Sequence, residues 1–227
     1  VVFLYFIFIK FVGEKLSTPQ KESLKNNIIE YIYNAILTDE YKQKDQIKEL
    51  HLASKLKVSR APIREALSEL VSLGVLEQIQ RRGVFVKEIT NKDIFDTYES
   101  KGVIEGYLAT SFAVHATQED MDALDDFVIQ MSEEALSKKE VAQIGGKFHK
   151  YYLKYSENNV LLESLEKLNI KSQLLFSKNW SKLYTLDEIK SRHQKISDVI
   201  KTRNKEKIER VIKEHYFESG TKIILLS

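Results

Sequence analysis

The stretch VSRAPIREALSEL, Val58 to Leu70, places a hydroxyl, two arginines and a proline within seven residues and then continues as an amphipathic helix. Ser59 stands where a helix N-cap is expected, and Pro62 falls in the first turn, where a missing N–H does no harm. Ile63, Ala66, Leu67, Leu70 and Val71 recur at intervals of three and four and form a core-facing stripe. Gly74 is the expected stop. Arg60 and Arg64 lie four residues apart on the outer face, one turn above the other. Charges on an outer face are ordinarily solvated surface, so the neighbouring segments decide what these two are for.

Upstream, Leu24, Ile28, Ile32, Ala35 and Ile36 predict a helix from Ser23 to Leu37, followed by the polar loop TDEYKQKDQ. Ile47, Leu50, Ala53 and Leu56 predict a second, short helix that stops near Lys57 and Val58. Two helices joined by so short a turn, the second opening on Ser-Arg, match a helix-turn-helix whose recognition helix presents its N-terminal end to the DNA major groove. Arginine can fork onto guanine O6 and N7 or onto a phosphate, and the helix N-terminus adds backbone N–H groups for phosphate. Downstream, VLEQIQ, RRG and VFV predict two short strands around a turn. Such a wing would carry Arg81 and Arg82 at its tip, against the DNA backbone or minor groove, with Gly83 giving the turn its backbone freedom.

Leu52 to Val86 resembles the winged helix of the GntR family of bacterial transcription regulators, whose pattern is a short helix, V-S-R-x-P-x-R-E-A-L, G-L-V and an R-x-G-x-F-V wing. The resemblance implies that Ser59, Arg60, Arg64 and Gly83 fall at positions where the family contacts DNA, with Arg81 and Arg82 as wing contacts. Two departures stand out. The Pro-Gly that usually precedes the second helix is replaced by Gln43-Lys44, and a basic residue that some members carry in that helix appears as Leu50 or His51. From Gln20 to Glu88 there are 12 basic and 10 acidic residues. DNA binding must therefore rest on a local cluster of Lys55, Lys57, Arg60, Arg64, Arg81 and Arg82 rather than on a basic domain.

The whole chain agrees with this. Its 227 residues suffice for two modest domains, and 43% hydrophobic with 30% charged residues is a globular balance. The absence of cysteine removes disulfides, thiolate nucleophiles and cysteine zinc sites, and fits a reducing, cytoplasmic setting. A formal charge of +2 does not announce a polyanion partner, so the distribution of charge carries the argument. The opening VVFLYFIFIKFV is too short to span a bilayer and has neither the charged leader nor the cleavage site of a secretory signal. It reads as an apolar N-terminal extension over 1–19, either the edge of a gene or fragment or a short docking segment.

From Asn91 onward the pattern predicts about six helices and no strand, with Asn91, Thr117, Asn158, Thr185 and Asn204 as start signals. The fold class is mainly α: a winged helix over 20–89 and an all-helical bundle over 90–227. His149, His193 and His215 fall on three separate helices, and His193 and His215 continue apolar stripes. Imidazoles converging from facing helices can hold Zn²⁺ or Ni²⁺. The segments IEGYLATSFAVHAT, GKFHKYY, SRHQKISDVI and KEHYFES resemble the FCD effector domain of the FadR-like subgroup of GntR regulators. That resemblance implies a divalent metal held by the three histidines and an Asp four residues before the first, beside a pocket for a small carboxylate. Here the acid position is Gly145, which leaves two readings open: a metal site without its acid, or histidines that serve the core or the effector. The family's Arg four residues before a Glu appears as Lys101 before Glu105, which keeps the charge and loses the fork.

A metal-dependent hydrolase is disfavoured, since no HExxH, paired acid and base or nucleophile elbow is present. A helical protein-interaction module is the other rival, and salt-dependent binding to duplex DNA separates it from a regulator. The reading that uses every feature is a homodimeric transcription regulator, a repressor that binds a double-stranded operator and answers to a small carboxylate effector, with no catalytic role and no membrane partner.

Overall fold

The computed structural model describes residues 19–133 and 136–226; the apolar stretch 1–12 and the rest of the N-terminal extension before Pro19 lie outside the described residues. The described chain divides into two compact units, the first ending at Ile89 and the second starting at Thr90.

The first unit runs α1 (Pro19–Leu37), β1 (Gln46–Ile47), α2 (Glu49–Leu56), α3 (Arg60–Ser72), β2 (Leu76–Ile79) and β3 (Gly83–Val86). Ile28, Ile32, Ile63, Leu67 and Leu70 close its core between α1 and α3, and Leu52 seals α2 beneath them. α3 ends where Gly74 takes a φ of 70°, so that Val75 N–H reaches the Leu70 carbonyl and Gly74 N–H that of Val71, a Schellman stop. β2 and β3 pair antiparallel with Ile79 opposite Gly83, whose φ is 106°. The two-residue β1 adds to the other edge of β3, giving the order β1-β3-β2. This strand replaces the expected start of α2 at Ile47: Ile47 is buried opposite Val84, and the helix begins at Glu49. Leu50, expected in the apolar stripe of that helix, is 68% exposed.

The second unit is a bundle of six helices among the described residues: α4 (Asn91–His115), α5 (Gln118–Gln130), α6 (Lys138–Tyr151), α7 (Asn159–Leu183), α8 (Leu186–Lys201) and α9 (Lys205–Leu226). Capping boxes open α4 at Thr90–Asp93, α5 at Thr117–Asp120, α6 at Ser137–Glu140 and α8 at Thr185–Glu188. Thus Thr90, rather than Asn91, caps the first of these helices. Asn158 and Asn204 bond the N–H groups of Leu161 and Lys207. α4 is the central rod and packs most extensively on α9. A Cβ on Gly102 would stand 3.0 Å from the Lys213 Cα, and one on Gly220 2.9 Å from the Tyr98 Cβ, so glycine on both helices permits their close approach. This draws the polar residues Lys101 and Glu105 of α4 into the bundle interior.

Candidate reading face and histidine centre

In the first unit, α3 begins at the surface. Ser59 occupies the N-cap position, but its hydroxyl makes no capping bond. One of the two donors a cap can serve is missing, because the third helical residue is Pro62, which has no N–H, and the Ala61 N–H is not engaged by the hydroxyl. Arg60 and Arg64 are exposed, and both donate to the same oxygen, Glu49 Oε2, at 3.0 Å from Arg60 Nη2 and 2.8 Å from Arg64 Nε. The Arg64 bond and the Arg60 bond together outweigh partial desolvation and hold the Glu49 carboxyl below its ordinary range. Lys57 stands exposed in the left-handed region, φ 54°, at the end of α2. Lys55 is drawn elsewhere, bonded to Glu40 at 2.6 Å and placed over the Tyr31 ring.

A shallow cleft of about 580 Å³ joins these pieces, lined by Gln46, Lys48, Glu49, Leu50, Arg60, Arg64, Gln78 and Gly83 among others. The hairpin tip carries Arg81, at φ 62°, and Arg82, both exposed. The Arg82 guanidinium lies 5.4 Å from the Phe85 ring centre, and its carbonyl accepts from Gln46 Nε2 at 2.6 Å, so β1 steadies the tip. Arg60, Arg64 and Gly83 therefore line one cleft, and Ser59 adjoins it as the cap position before Arg60. A multiply charged edge with helix N–H groups suits phosphate and base edges.

In the second unit, His149 from α6, His193 from α8 and His215 from α9 converge, with one ligand atom from each within 4.8 Å of the others. Ring centres are separated by 5.1 to 5.4 Å. His193 Nδ1 lies 2.7 Å from the Ile189 carbonyl, which fixes the proton there and leaves the Nε2 lone pair for another partner. His215 Nδ1 is buried and has no hydrogen-bond partner among the described residues. Burial, reinforced by the neighbouring His149, pushes His193 down to about 3 and His215 well below the ordinary histidine range, so both imidazoles are neutral at pH 7. Imidazole nitrogens from three helices, two of them on neutral rings, are the donor set a divalent metal takes.

The acid of the centre comes from a different helix. Glu105 of α4 is buried and accepts from Tyr152 Oη at 2.5 Å, from Tyr216 Oη at 2.6 Å and from His149 Nδ1 at 2.8 Å. Burial raises this carboxyl, but His149, Lys101 and the Tyr152 hydroxyl outweigh it and keep the group below its ordinary range. A carboxylate on the far nitrogen of a histidine orients the ring and directs its Nε2 lone pair inward. Gly145 contributes no ligand; a Cβ there would stand 3.3 Å from His193 Nε2, so the side chain missing from this position would have entered the centre directly.

Lys101 is buried one turn from Glu105. Its ammonium donates to Ser172 Oγ at 3.1 Å and lies 4.6 Å from the Tyr216 ring centre. Burial lowers it to about 8, against the opposing pull of Glu105. Sequence reasoning singled out the three histidines, Gly145 and Lys101, with Glu105 named only as the acid that follows Lys101 and not as a partner of His149, and it missed Glu49, Tyr152 and Tyr216. Glu105 had one legible signal, its place four residues after Lys101 on the same helix face.

Comparison with known proteins agrees with this division. The sequence pattern of the gntR family of bacterial regulatory proteins matches residues 24–86, and that of the FCD domain matches residues 96–218. The chain is 30% identical over 126 residues to the Nta operon transcriptional regulator of Aminobacter aminovorans, a match covering 55% of this chain and 60% of that relative's length. It is 26% identical over 182 residues to a probable D-xylose utilization operon transcriptional repressor of Paenarthrobacter nicotinovorans, across 74% of this chain and 75% of that protein. Among solved structures it resembles E. coli McbR/YncC, with a TM-score of 0.67 at 15% identity over 89% of this chain and 98% of that one, a likeness of fold.

Proposed function

The chain belongs to the gntR family of bacterial regulatory proteins and carries an FCD domain, and from that premise we propose how its two units divide the work of a ligand-controlled, DNA-binding transcription regulator. Residues 20–89 read a double-stranded operator, and residues 90–227 bind the effector and pair two copies. The observation that carries the reading is the exposed N-terminus of α3. Ser59 has a hydroxyl free of capping duty, and Arg60 and Arg64 flank the same cleft as the hairpin.

In this reading Arg60 and Arg64 face base edges in the major groove. Lys57, Ser59 and the backbone at Gly83 take phosphates, and Arg81 and Arg82 take the backbone or minor groove beyond. Two copies are required because operators of this kind present two half-sites about one helical turn apart. The exposed Val103, Tyr107 and Val114, all on α4, supply an apolar strip that a second copy can cover. Repression is favoured by the resemblance to the D-xylose operon repressor. Acting on chromosomal DNA places the protein in the cytoplasm; among the described residues no helix is long and apolar enough to cross a membrane.

The effector is a small carboxylate held near Lys101, whose buried ammonium has Ser172 as its hydroxyl partner. His149, His193 and His215 hold Zn²⁺ or Ni²⁺, oriented by Glu105 through His149 Nδ1. When bound, such an ion supplies a Lewis-acidic anchor for a carboxylate. The residues of this chain hold that anchor in place, keep His193 and His215 neutral and exclude bulk water. Ligand binding then shifts the balance between DNA-competent and incompetent arrangements by its differential affinity for them. A regulator needs no catalytic step, and this use of the centre is preferred to hydrolysis.

The deciding experiment is a titration of the full chain onto random-core and enriched duplexes at about 50 to 200 mM salt, the range over which phosphate neutralisation is most visible. Selective, salt-dependent binding is expected. Binding with no salt dependence would sink the operator reading in favour of a protein-interaction module.

A further inference from the structure

Two guanidinium groups share one carboxylate oxygen on the reading face. Arg60 Nη2 and Arg64 Nε both donate to Glu49 Oε2, at 3.0 and 2.8 Å. Glu49 is the first residue of α2, whereas both arginines belong to α3, so the contact spans the two helices of the motif. It is not a contact between neighbours on one helix, and nothing in local helix spacing demands it.

Stereochemistry sets what the arrangement does. A guanidinium offers two edges for bidentate bonding, the Nε side and the Nη1–Nη2 end. With Arg64 Nε occupied by Glu49, the end remains for a fork onto guanine O6 and N7. A free arginine samples many rotamers, and that freedom is lost when it reads a base. One already held from the side loses less. The same carboxylate changes the electrostatics: two cations and one anion present a net charge of +1 instead of +2, which weakens attraction to any phosphate whatever the sequence.

We propose that Glu49 is a positioning residue for base readout: it sets the pose of Arg60 and Arg64 and lowers the charge of the reading face, so that the chain discriminates among sequences and grips arbitrary DNA less tightly. The inference rests on the DNA-reading role proposed for this unit. It assigns guanine-containing half-sites as the class of target, because the free end of a side-supported arginine matches the guanine major-groove edge.

The test uses the full chain as parent, Glu49→Gln and Glu49→Asp, with melting temperatures confirming that each is folded. A duplex library with a random core is enriched on the parent, and the affinities for the enriched duplex and for the same duplex with a permuted core are measured across a salt series. Discrimination, the ratio of the two dissociation constants, is expected to fall at least about tenfold in Glu49→Gln, the scale of one guanine contact. The permuted duplex should bind Glu49→Gln as tightly as the parent or tighter. Glu49→Asp keeps the charge but withdraws the carboxylate by one methylene, and should lose discrimination without gaining affinity for the permuted duplex. An unchanged ratio in either variant would overturn the positioning role, as would equal tightening on both duplexes, which would make Glu49 a competitor for phosphate. If the parent enriches no sequence at all, the operator reading fails, an outcome distinct from the failure of Glu49 alone.

Discussion

The two units handle their charges in opposite ways. In the first, Arg60, Arg64, Arg81 and Arg82 stand in solvent, and Glu49 bonds two of them from the neighbouring helix. In the second, Lys101, Glu105 and the histidines are drawn into a bundle where each polar atom is costly unless paired. An exposed face can be altered with little effect on folding, because surface ion pairs contribute only about 0–1 kcal/mol. A buried centre couples folding to whatever it binds. Mutations should therefore separate cleanly: in the first unit they change affinity, in the second stability.

The largest effect is expected at Glu105. Glu105→Ala removes the buried carboxylate that accepts from Tyr152, Tyr216 and His149, leaving only the contacts of the two hydroxyls with His149 Nδ1, and leaves Lys101 without its anionic neighbour, a destabilisation on the order of 3–5 kcal/mol. Urea unfolding measures it, and a value below about 1 kcal/mol, the scale of a surface pair, would erase the contrast between the units. Next comes metal. At a hundred times its dissociation constant, Zn²⁺ or Ni²⁺ should stabilise the EDTA-stripped parent by about 2.7 kcal/mol. His193→Ala should abolish that gain and Gly145→Asp enlarge it, after subtracting whatever stability, up to roughly 1 kcal/mol, comes from removing a helical glycine alone. A parent with no metal response by melting or elemental analysis, and a Gly145→Asp protein with none, would return the histidines to core packing or effector contact.

Arg64→Ala should weaken binding to an enriched duplex by roughly 1–3 kcal/mol while leaving the melting temperature nearly unchanged. Equal affinity in variant and parent would return Arg64 to ordinary surface. Acidification supplies a smaller effect confined to the second unit. In EDTA, unfolded His193 takes up its proton near 6.5 while the folded imidazole resists until about 3. Between these values the unfolded state binds more protons, so stability rises with pH and falls on acidification, on the order of 1 kcal/mol by about pH 5.5. Unfolding curves at about pH 7.5 and 5.5, on either side of the unfolded histidine value, would reveal it. A pH-independent second unit would mean that the centre opens to water. Smallest is the wing. Arg81→Ala with Arg82→Ala should reduce the magnitude of the salt slope of DNA binding by about 0.9 for each phosphate no longer neutralised, and an unchanged slope would remove the tip from the interface.

The winged helix was legible because its signals are local: the α3 stripe repeats with the helix period, Gly74 ends it, and Gly83 closes the turn between the strands as the first residue of β3. β1 escaped because two residues have no period to detect, and Ile47, apolar and two positions before a helix, fits either element. Leu50 was misplaced for a related reason, since a short helix offers too few positions to distinguish a buried stripe from a neighbouring exposed one. Ser59 shows a subtler limit. Its residue type suits a cap, but the missing N–H of Pro62 three positions on removes one of the two donors it could serve, and no capping bond forms.

By itself the sequence determined the order and kind of the helices, the outward arginines and the placement of histidines on separate apolar stripes, because periodicity, capping and turn chemistry act over a few residues. Tertiary structure alone decided which acid meets which base. Glu49 reaches Arg60 and Arg64 across a turn, and Glu105 reaches His149 across 44 positions of chain and Tyr216 across 111. Those meetings depend on how closely helices approach, which the glycines of α4 and α9 set in three dimensions, and a burial energy that rewards pairing has no counterpart in the linear pattern.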